Sequence, residues 1–409
     1  MAHKTAIPQE IIDEIIAHLT DDLPTLHCCS STSYSLYVSS RKHIFSTICL
    51  YNTSATQNLL SLLDQNPGVA NFVRTLHVYT SPRENTTTLP AVLARLSFVR
   101  NLIIGREGES GSMNWYAIPH ATKHALEQLI TSPALHTLVF TSVIYLPISI
   151  LSLAAHIKAL KLYRVAFTEP EPPDHTDVPH HATQAPTPIG LESIHCSSSM
   201  SNLSCPPLHA PHLRHYTIVG NSMANLLTVQ KICTATTPAC AIDDLTWLEY
   251  RGDDQYINPE VLVCPHRLTF STWTFDAVWI QRLPAMWASI SKLLSSTSLV
   301  ALEEFSVTLK CASDLPVLPN VNGSDGDRDI KSACLGAPRV WWNQIDARLG
   351  DPSHAPRLRA VNIGLQIIGN GTDDSNVDGG TFEMQVMEYL PLLRSRGPGV
   401  LSARLEGET

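Results

Sequence analysis

No uninterrupted apolar stretch in this 409-residue chain approaches the roughly 18 residues that a membrane-spanning helix needs. The opening segment MAHKTAIPQE lacks the apolar core of a secretory signal peptide. We therefore expect neither a membrane association nor export. Apolar residues make up 44% of the chain, which is typical of globular proteins and too high for a disordered one. The length allows either several ordinary domains or a small domain followed by a long repeat array.

The ten cysteines form no CxxC pair, and only Cys28 and Cys29 are adjacent. This scatter favours reduced thiols over a disulfide framework, so we expect a cytoplasmic or nuclear protein. The formal net charge of −9 argues against a nucleic-acid-binding protein, because such proteins concentrate basic charge on one surface.

The short motifs that carry chemistry are also missing, namely GxGxxG, GxxxxGK[ST], HExxH and GxSxG. Aspartates alternate between residues 325 and 329 as in a calcium loop, but Ile330 replaces the glycine that such a loop requires. The histidines at residues 175–181 lie in a proline-rich segment, which offers a metal ion no rigid geometry. We therefore expect a non-enzymatic protein with no catalytic residues, no cofactor and no metal site.

The first fifty residues carry the most informative pattern. Pro8 suits the first turn of a helix, where its missing N–H costs nothing, and Glu10 follows where the helix dipole favours a negative charge. Two apolar rows recur at helical spacing, with Ile11, Ile15 and Leu19 in one and Ile12 and Ile16 in the other. We predict that one row packs inside and the other faces a partner. Asp22 and Pro24 predict the start of a second helix.

This segment resembles the F-box, a three-helix module that docks a protein onto the Skp-type adaptor of a cullin-RING ubiquitin ligase. The fungal version typically opens Leu-Pro-x-Glu-Ile-x-Asp-x-Ile-Ile-x-x-Leu, and here Ile7 replaces the leucine. The matching residues are Pro8, Glu10, Ile11, Asp13, Ile15, Ile16, Leu19, Asp22, Thr25, Leu26, Cys29, Ser30, Arg41, His43 and Phe45. Ser31 and Thr32 depart from the usual leucine and valine. The resemblance implies that the adaptor contacts Ile7, Pro8, Ile11, Ile15, Leu19, Leu26 and Phe45.

The remaining chain repeats short runs of the form apolar-x-x-apolar-x-apolar, which predict strands. They begin at Val73, Val99, Leu135, Ile157, Leu191, Leu213, Ile242, Leu302 and Leu358, with a looser run at Leu268. Runs with helical spacing fall between them, as at residues 59–63 and 125–130. One strand and one helix every 22 to 36 residues is the pattern of a leucine-rich-repeat solenoid. A non-repetitive α/β domain with a parallel sheet remains the alternative.

The predicted organisation is therefore an α/β chain with an F-box-like adaptor-binding domain at residues 1–50 and an irregular leucine-rich-repeat-like solenoid at residues 51–409. Proline, glycine and acidic residues predict loop insertions near residues 169–188, 319–331 and 369–380. A final helix through Phe382 and Leu393 could cap the open end of the solenoid.

This organisation predicts a substrate-recognition subunit of an SCF-type cullin-RING ubiquitin ligase. The repeats would bind an unidentified target protein, whereas we expect no nucleic acid or membrane partner. Candidate target-binding residues lie on or near predicted strands, where they could face a concave surface: Lys161, His215, Thr217, Trp247, Tyr250 and Trp273. The alternative function is an adaptor-independent protein-interaction scaffold built on the same repeats.

Overall fold

A computed structural model describes residues 7–79, 87–105, 111–147, 149–154, 156–168, 190–197, 213–219, 243–248, 265–274, 287–288, 290–291, 294–295, 299–312, 339–368 and 379–408. The chain divides into two compact units, residues 1–189 and 190–409. Each unit combines helices with parallel strands, so the expectation of a mixed α/β fold with a large parallel sheet is confirmed.

Three short helices open the first unit: α1 (Gln9–Ala17), α2 (Leu23–Thr32) and α3 (Tyr34–Ile44). The Asp22 carboxylate caps α2 by accepting a hydrogen bond from the Thr25 backbone N–H at 3.1 Å. Pro24 lies in the first turn of α2, where no N–H is required. Ser33 caps α3 through the Leu36 N–H at 3.4 Å. Local capping therefore sets where α2 and α3 begin, as the sequence predicts for α2.

The strands of the first unit follow in chain order: β1 (Thr47–Leu50), β2 (Thr75–Val78), β3 (Asn101–Gly105), β4 (Met113–Asn114), β5 (Thr137–Thr141), β6 (Val143–Ile144), β7 (Leu146–Pro147), β8 (Ala159–Tyr163) and β9 (Phe167–Thr168). The main sheet pairs β1, β2, β3, β5 and β8 in parallel, and β4–β6 and β7–β9 form separate pairs. Between the strands lie α4 (Thr53–Gln65), α5 (Thr88–Leu93), α6 (His120–Ile130), α7 (Ser149–Leu153) and 3₁₀ turns at Pro67–Phe72 and Trp115–Ala117.

Burial alternates along β2 and β8, because successive side chains point to opposite faces, whereas β5 is buried from Leu138 to Thr141. Leu76, Leu102, Leu138 and Leu160 pair in register, and each is at most 1% exposed. The helices cover this face with Leu59, Leu63, Leu126 and Ile130, which are also buried. We call the opposite face the polar face of the unit; His77, Ile103, Val139 and Lys161 lie on it in register.

The second unit contains β10 (Ser193–Ser197), β11 (His215–Val219), β12 (Asp244–Leu248), β13 (Arg267–Thr274), β14 (Glu304–Ala312), β15 (Ala360–Ile368) and β16 (Leu401–Glu408). Each pairs in parallel with the next. Its buried row consists of Ile194, Tyr216, Leu245, Leu268, Phe305, Val361 and Leu401. The polar face of this unit is defined in the same way as that of the first.

The second unit contains three helices near its end: α8 (Arg339–Gly350), α9 (Gly379–Tyr389) and α10 (Pro391–Ser395). Polar contacts join α8 to α10. The buried Asp346 carboxylate of α8 accepts hydrogen bonds from the backbone N–H groups of Leu392 and Leu393, both at 2.9 Å. Arg396 donates to the Leu349 and Ala355 carbonyls, both at 2.7 Å. These bonds satisfy groups that helix ends leave unpaired.

All ten apolar runs proposed as strands coincide with strands of the structure. β1 and β16 were not predicted. The predicted final helix is broken at Leu390 and Pro391, because proline cannot continue the hydrogen-bond ladder, and β16 follows it. Residues 169–188, 319–331 and 369–378 lie outside the described residues, whereas Gly379 and Gly380 begin α9 rather than ending a loop.

Candidate interaction surfaces

The two apolar rows of α1 differ in exposure. Ile16 is 1% exposed, whereas Ile11 and Ile15 are 47% and 53% exposed. Ile7, which precedes the helix, is 62% exposed. We call Ile7, Ile11 and Ile15 the isoleucine stripe. An apolar stripe of this kind on a three-turn helix is available for a partner.

The other predicted adaptor contacts divide by burial. Pro8 is exposed, and Leu19 is half-buried. Phe45 is half-buried beneath the Arg41 guanidinium, whose carbon lies 5.3 Å from the ring centroid. Leu26 is 0% exposed, so it packs inside the helical segment and offers no surface to a partner. Leu23, at the start of α2, is exposed and was missed because its neighbours Asp22 and Pro24 indicated only a helix start.

Asp13 joins α1 to α3 on the side of the helix away from the stripe. Its carboxylate accepts hydrogen bonds from Gln9 at 2.9 Å and Lys42 at 3.1 Å, and from the Ser39 hydroxyl. The Ser39 bond, followed by those from Gln9 and Lys42, lowers the pKa of Asp13 to about 2. The ionised form therefore holds α1 against α3.

We predict that the stabilisation of the first unit by the ionised Asp13 carboxylate depends on pH. The folded pKa of Asp13 lies below its ordinary 3.8, so its stabilisation is complete above pH 3.8 and is lost as pH falls towards 2. Asp13→Asn should lower stability by about 1 kcal/mol at pH 6, a modest value because solvent screens this partly exposed side chain. Acid titration of the first unit's unfolding should be shallower in Asp13→Asn than in wild type. Asp21→Asn, in the exposed turn after α1, is the control, and an identical titration in all three proteins would contradict the assignment.

A ladder of ion pairs runs across the polar face of the second unit. Asp244 on β12 pairs with His215 on β11 at 2.7 Å and with Arg267 on β13 at 3.4 Å. Arg267 also lies 3.9 Å from Glu304 on β14, which accepts a hydrogen bond from Asn362 on β15 at 3.1 Å. Arg267 therefore lies between two carboxylates, and the charged side chains of β12, β13 and β14 partly neutralise one another.

A second line of contacts begins one residue earlier. His266 and Asp243, which precede β13 and β12, pair at 3.0 Å. Arg359 and Glu303, which precede β15 and β14, lie 3.9 Å apart. Farther along the strands, a row of uncharged polar residues and one histidine pairs in register: His195, Thr217, Thr246, Thr269, Ser306, Asn362 and Ser402. This face is therefore polar and internally compensated.

The predicted target-binding residues are distributed over both units. Lys161 is exposed on β8 of the first unit. His215 and Thr217 lie on β11 of the second unit, where Asp244 engages His215.

The aromatic candidates also separate. Trp247 pairs in register with Phe270 on β13. Trp273 pairs in register with Lys310 on β14. Tyr250 lies outside the described residues.

No protein-family model matches this chain, and no curated protein sequence is significantly similar to it. Within the part of the chain that the structure describes, no three histidine, cysteine, aspartate or glutamate side chains are grouped so as to hold a metal ion. Among the same residues, no helix has both the length and the apolar character to cross a membrane.

Proposed function

We propose that this protein is a substrate-recruiting subunit of an SCF-type ubiquitin ligase, working in the cytoplasm or nucleus. Residues 7–45 would act as an F-box that binds a Skp-type adaptor. The strand and helix units that follow would act as leucine-rich-repeat-like arrays that hold a target protein. The target would be ubiquitinated because it is held near another protein's catalytic machinery.

The isoleucine stripe carries the proposal. Its members are exposed although residues of this type are normally buried, and α1 places them on one side of the helix. Asp13 fixes the helix from its other side through Lys42 and Ser39, so the stripe is presented on a supported surface. Apolar anchors on a rigid helix are the usual centre of a binding interface.

The parallel strands support the second half of the proposal. In the main sheet of each unit, each strand pairs in parallel with the next one along the chain. Sequential stacking of strand and helix units is what a repeat array requires. Helices cover one face of the sheet, which leaves the polar face for a ligand.

The test is capture of a purified Skp-type adaptor by the full-length chain. Ile11→Asp and Ile15→Asp should each weaken binding at least about a hundredfold, because a charge would be buried against an apolar surface. Binding would be measured by titration calorimetry. Thermal unfolding should change little, since both side chains are already exposed.

Ala17→Asp is the matched control. It introduces the same charge at an exposed position of the same helix, on the flank away from Ile11 and Ile15. Adaptor affinity should stay within about threefold of wild type. Wild-type protein that does not bind the adaptor, or binding retained by both isoleucine variants, would overturn the proposal in favour of an adaptor-independent scaffold.

A further inference from the structure

Tyr145, between β6 and β7, adopts a backbone conformation that favours glycine. Its φ is +59°, in the left-handed region that bulky residues rarely occupy. The side chain does not offset this strain by filling the core, because it is 48% exposed. Strain that is held at an exposed residue is common at binding sites, where it positions a side chain for a ligand.

The Tyr145 ring lies beside a second exposed tyrosine, Tyr116. The two ring centroids are 6.1 Å apart, the ring planes are inclined by 36°, and Tyr116 is 50% exposed. We call Tyr116 and Tyr145 the tyrosine pair. Tyr51 and Tyr79 form another pair in this unit, but their rings stack with centroids 4.6 Å apart, so each covers a face of the other. The wider spacing of the tyrosine pair leaves ring surface for a ligand.

Buried neighbours hold both members of the tyrosine pair in place. Tyr116 follows Trp115, which is 2% exposed, and its backbone N–H donates to the Asn114 side chain at 2.9 Å. Tyr145 is followed by Leu146, which is 0% exposed. A pair that is already positioned in this way loses little conformational entropy when it binds a ligand.

The polar groups of the tyrosine pair are available as hydrogen-bond donors. Within the described part of the chain, neither the Tyr116 hydroxyl nor the Tyr145 hydroxyl has a hydrogen-bond partner. The Lys123 ammonium lies 5.7 Å from the Tyr116 ring centroid and donates to the Tyr116 carbonyl at 3.3 Å, which leaves two of its three N–H groups. Glu127, one turn further along α6, forms no ion pair with Lys123. The tyrosine pair therefore combines aromatic surface, hydroxyl donors and one neighbouring positive charge.

We propose that the tyrosine pair binds a proline-rich segment of a partner protein, with a glutamate or aspartate beside the prolines facing Lys123. A proline-rich segment adopts the polyproline II conformation, whose carbonyl groups form no internal hydrogen bonds and accept from donors such as tyrosine hydroxyls. Its pyrrolidine rings pack against aromatic side chains. The complementary charge of an acidic residue and Lys123 fixes the direction in which the segment lies.

The dimensions of the tyrosine pair fit this conformation. A polyproline II helix rises ~3.1 Å per residue, so two residues span ~6.2 Å. That rise is close to the 6.1 Å between the two ring centroids. Each tyrosine can therefore pack against a different residue of one bound segment.

Fluorescence anisotropy with the full-length chain is the test. The probe is a labelled peptide of about nine residues that repeats Glu-Pro-Pro, and its partner probe repeats Glu-Ala-Ala with the same charge. We expect the proline probe to bind at least about tenfold more tightly, because alanine neither favours the polyproline II conformation nor supplies a pyrrolidine ring. Lys123→Gln should weaken binding of the proline probe about threefold and reduce its dependence on salt.

Tyr116→Ala and Tyr145→Gly should each weaken binding of the proline probe at least about tenfold, because each removes one ring. Glycine replaces Tyr145 because it adopts a positive φ without strain, so the midpoint of thermal unfolding should fall by no more than about 3 °C. Tyr51→Ala is the matched control. It removes a 60% exposed tyrosine of the same unit and should leave affinity within about twofold. Circular dichroism verifies that each variant is folded.

Equal binding of the two probes, or an unchanged affinity in Tyr116→Ala and Tyr145→Gly, would overturn the proposal. Residues 169–188 of this chain are themselves rich in proline and include the sequence EPEPP. Binding that appears only after a Gly-Ser linker replaces them would show that this chain supplies the occupant, and it would overturn the assignment to a partner protein. Peptide binding at the tyrosine pair requires no adaptor, so adaptor affinity measured on the same samples tests the proposed function separately.

Discussion

Replacing Asp346 with alanine should destabilise the second unit by about 2–4 kcal/mol, because two backbone N–H groups lose their acceptor. Burial raises the pKa of the Asp346 carboxyl, and the bonds from Leu392 and Leu393 oppose that rise. The substitution removes an unfavourable buried charge, but it leaves the first turn of α10 without a cap. The second effect is larger because each unpaired buried donor costs about 1–3 kcal/mol.

Hydrogen exchange at Leu392 and Leu393 is the direct measurement, with urea unfolding for the global effect. Both amides should exchange faster in Asp346→Ala, and Asp346→Asn should fall between alanine and wild type because an amide keeps one acceptor oxygen. Asp351→Ala is the control. Asp351 accepts a hydrogen bond from the Ser353 N–H at 2.8 Å on the surface, so its loss should cost at most about 1 kcal/mol. Equal effects of the two alanine variants would show that α10 does not depend on Asp346.

Gly105→Ala should destabilise the first unit by about 3 kcal/mol or more. Gly105 ends β3 with φ of +114°, and an added Cβ would lie 1.9 Å from the Thr141 carbonyl oxygen on β5. The Thr141 carbonyl oxygen belongs to the backbone, so rotation of a side chain cannot relieve this contact. The partner strands would have to separate where the sheet pairs Gly105 with Thr141. Thermal and urea unfolding measure the loss.

The Gly111→Ala variant separates the cost of the backbone conformation from the cost of the contact with Thr141. Gly111 has nearly the same φ, +112°, but nothing lies within 4 Å of its added Cβ. Its substitution therefore carries only the conformational strain, about 1–2 kcal/mol. The excess cost at Gly105 measures the contact with Thr141. A Gly105→Ala variant no less stable than Gly111→Ala would mean that β3 and β5 are more loosely paired than their register indicates.

The strand positions could be predicted from the sequence because apolar residues recur where the sheet is buried. Phe45, Ile48 and Leu50 have the same spacing, and the last two lie in β1, but the resemblance to the F-box places all three in the helical module. The sequence does not predict β16, because the small residue Ala403 occupies a buried position and the apolar pattern is weak there. The local sequence therefore identifies most strands, but it does not show where one module ends and the next begins.

The surfaces were less predictable than the strands. The sequence showed that α1 has two apolar rows, but only packing against α3 determines that Ile16 is inside and Ile11 outside. The ion pair between Asp243 and His266 joins residues that are 23 positions apart, so its formation depends on strand register. Arg100 and His136 likewise become neighbours only when β3 and β5 align.

β16 has a consequence for how the protein behaves at high concentration. Among the described residues it is the last strand of the second unit's series, and a terminal strand presents backbone groups that can recruit a strand from another molecule. Its sequence, LSARLEGE, carries charges at Arg404, Glu406 and Glu408. Charged residues on an edge strand oppose its pairing with another chain, so we expect these three residues to disfavour growth of the sheet by edge-to-edge association.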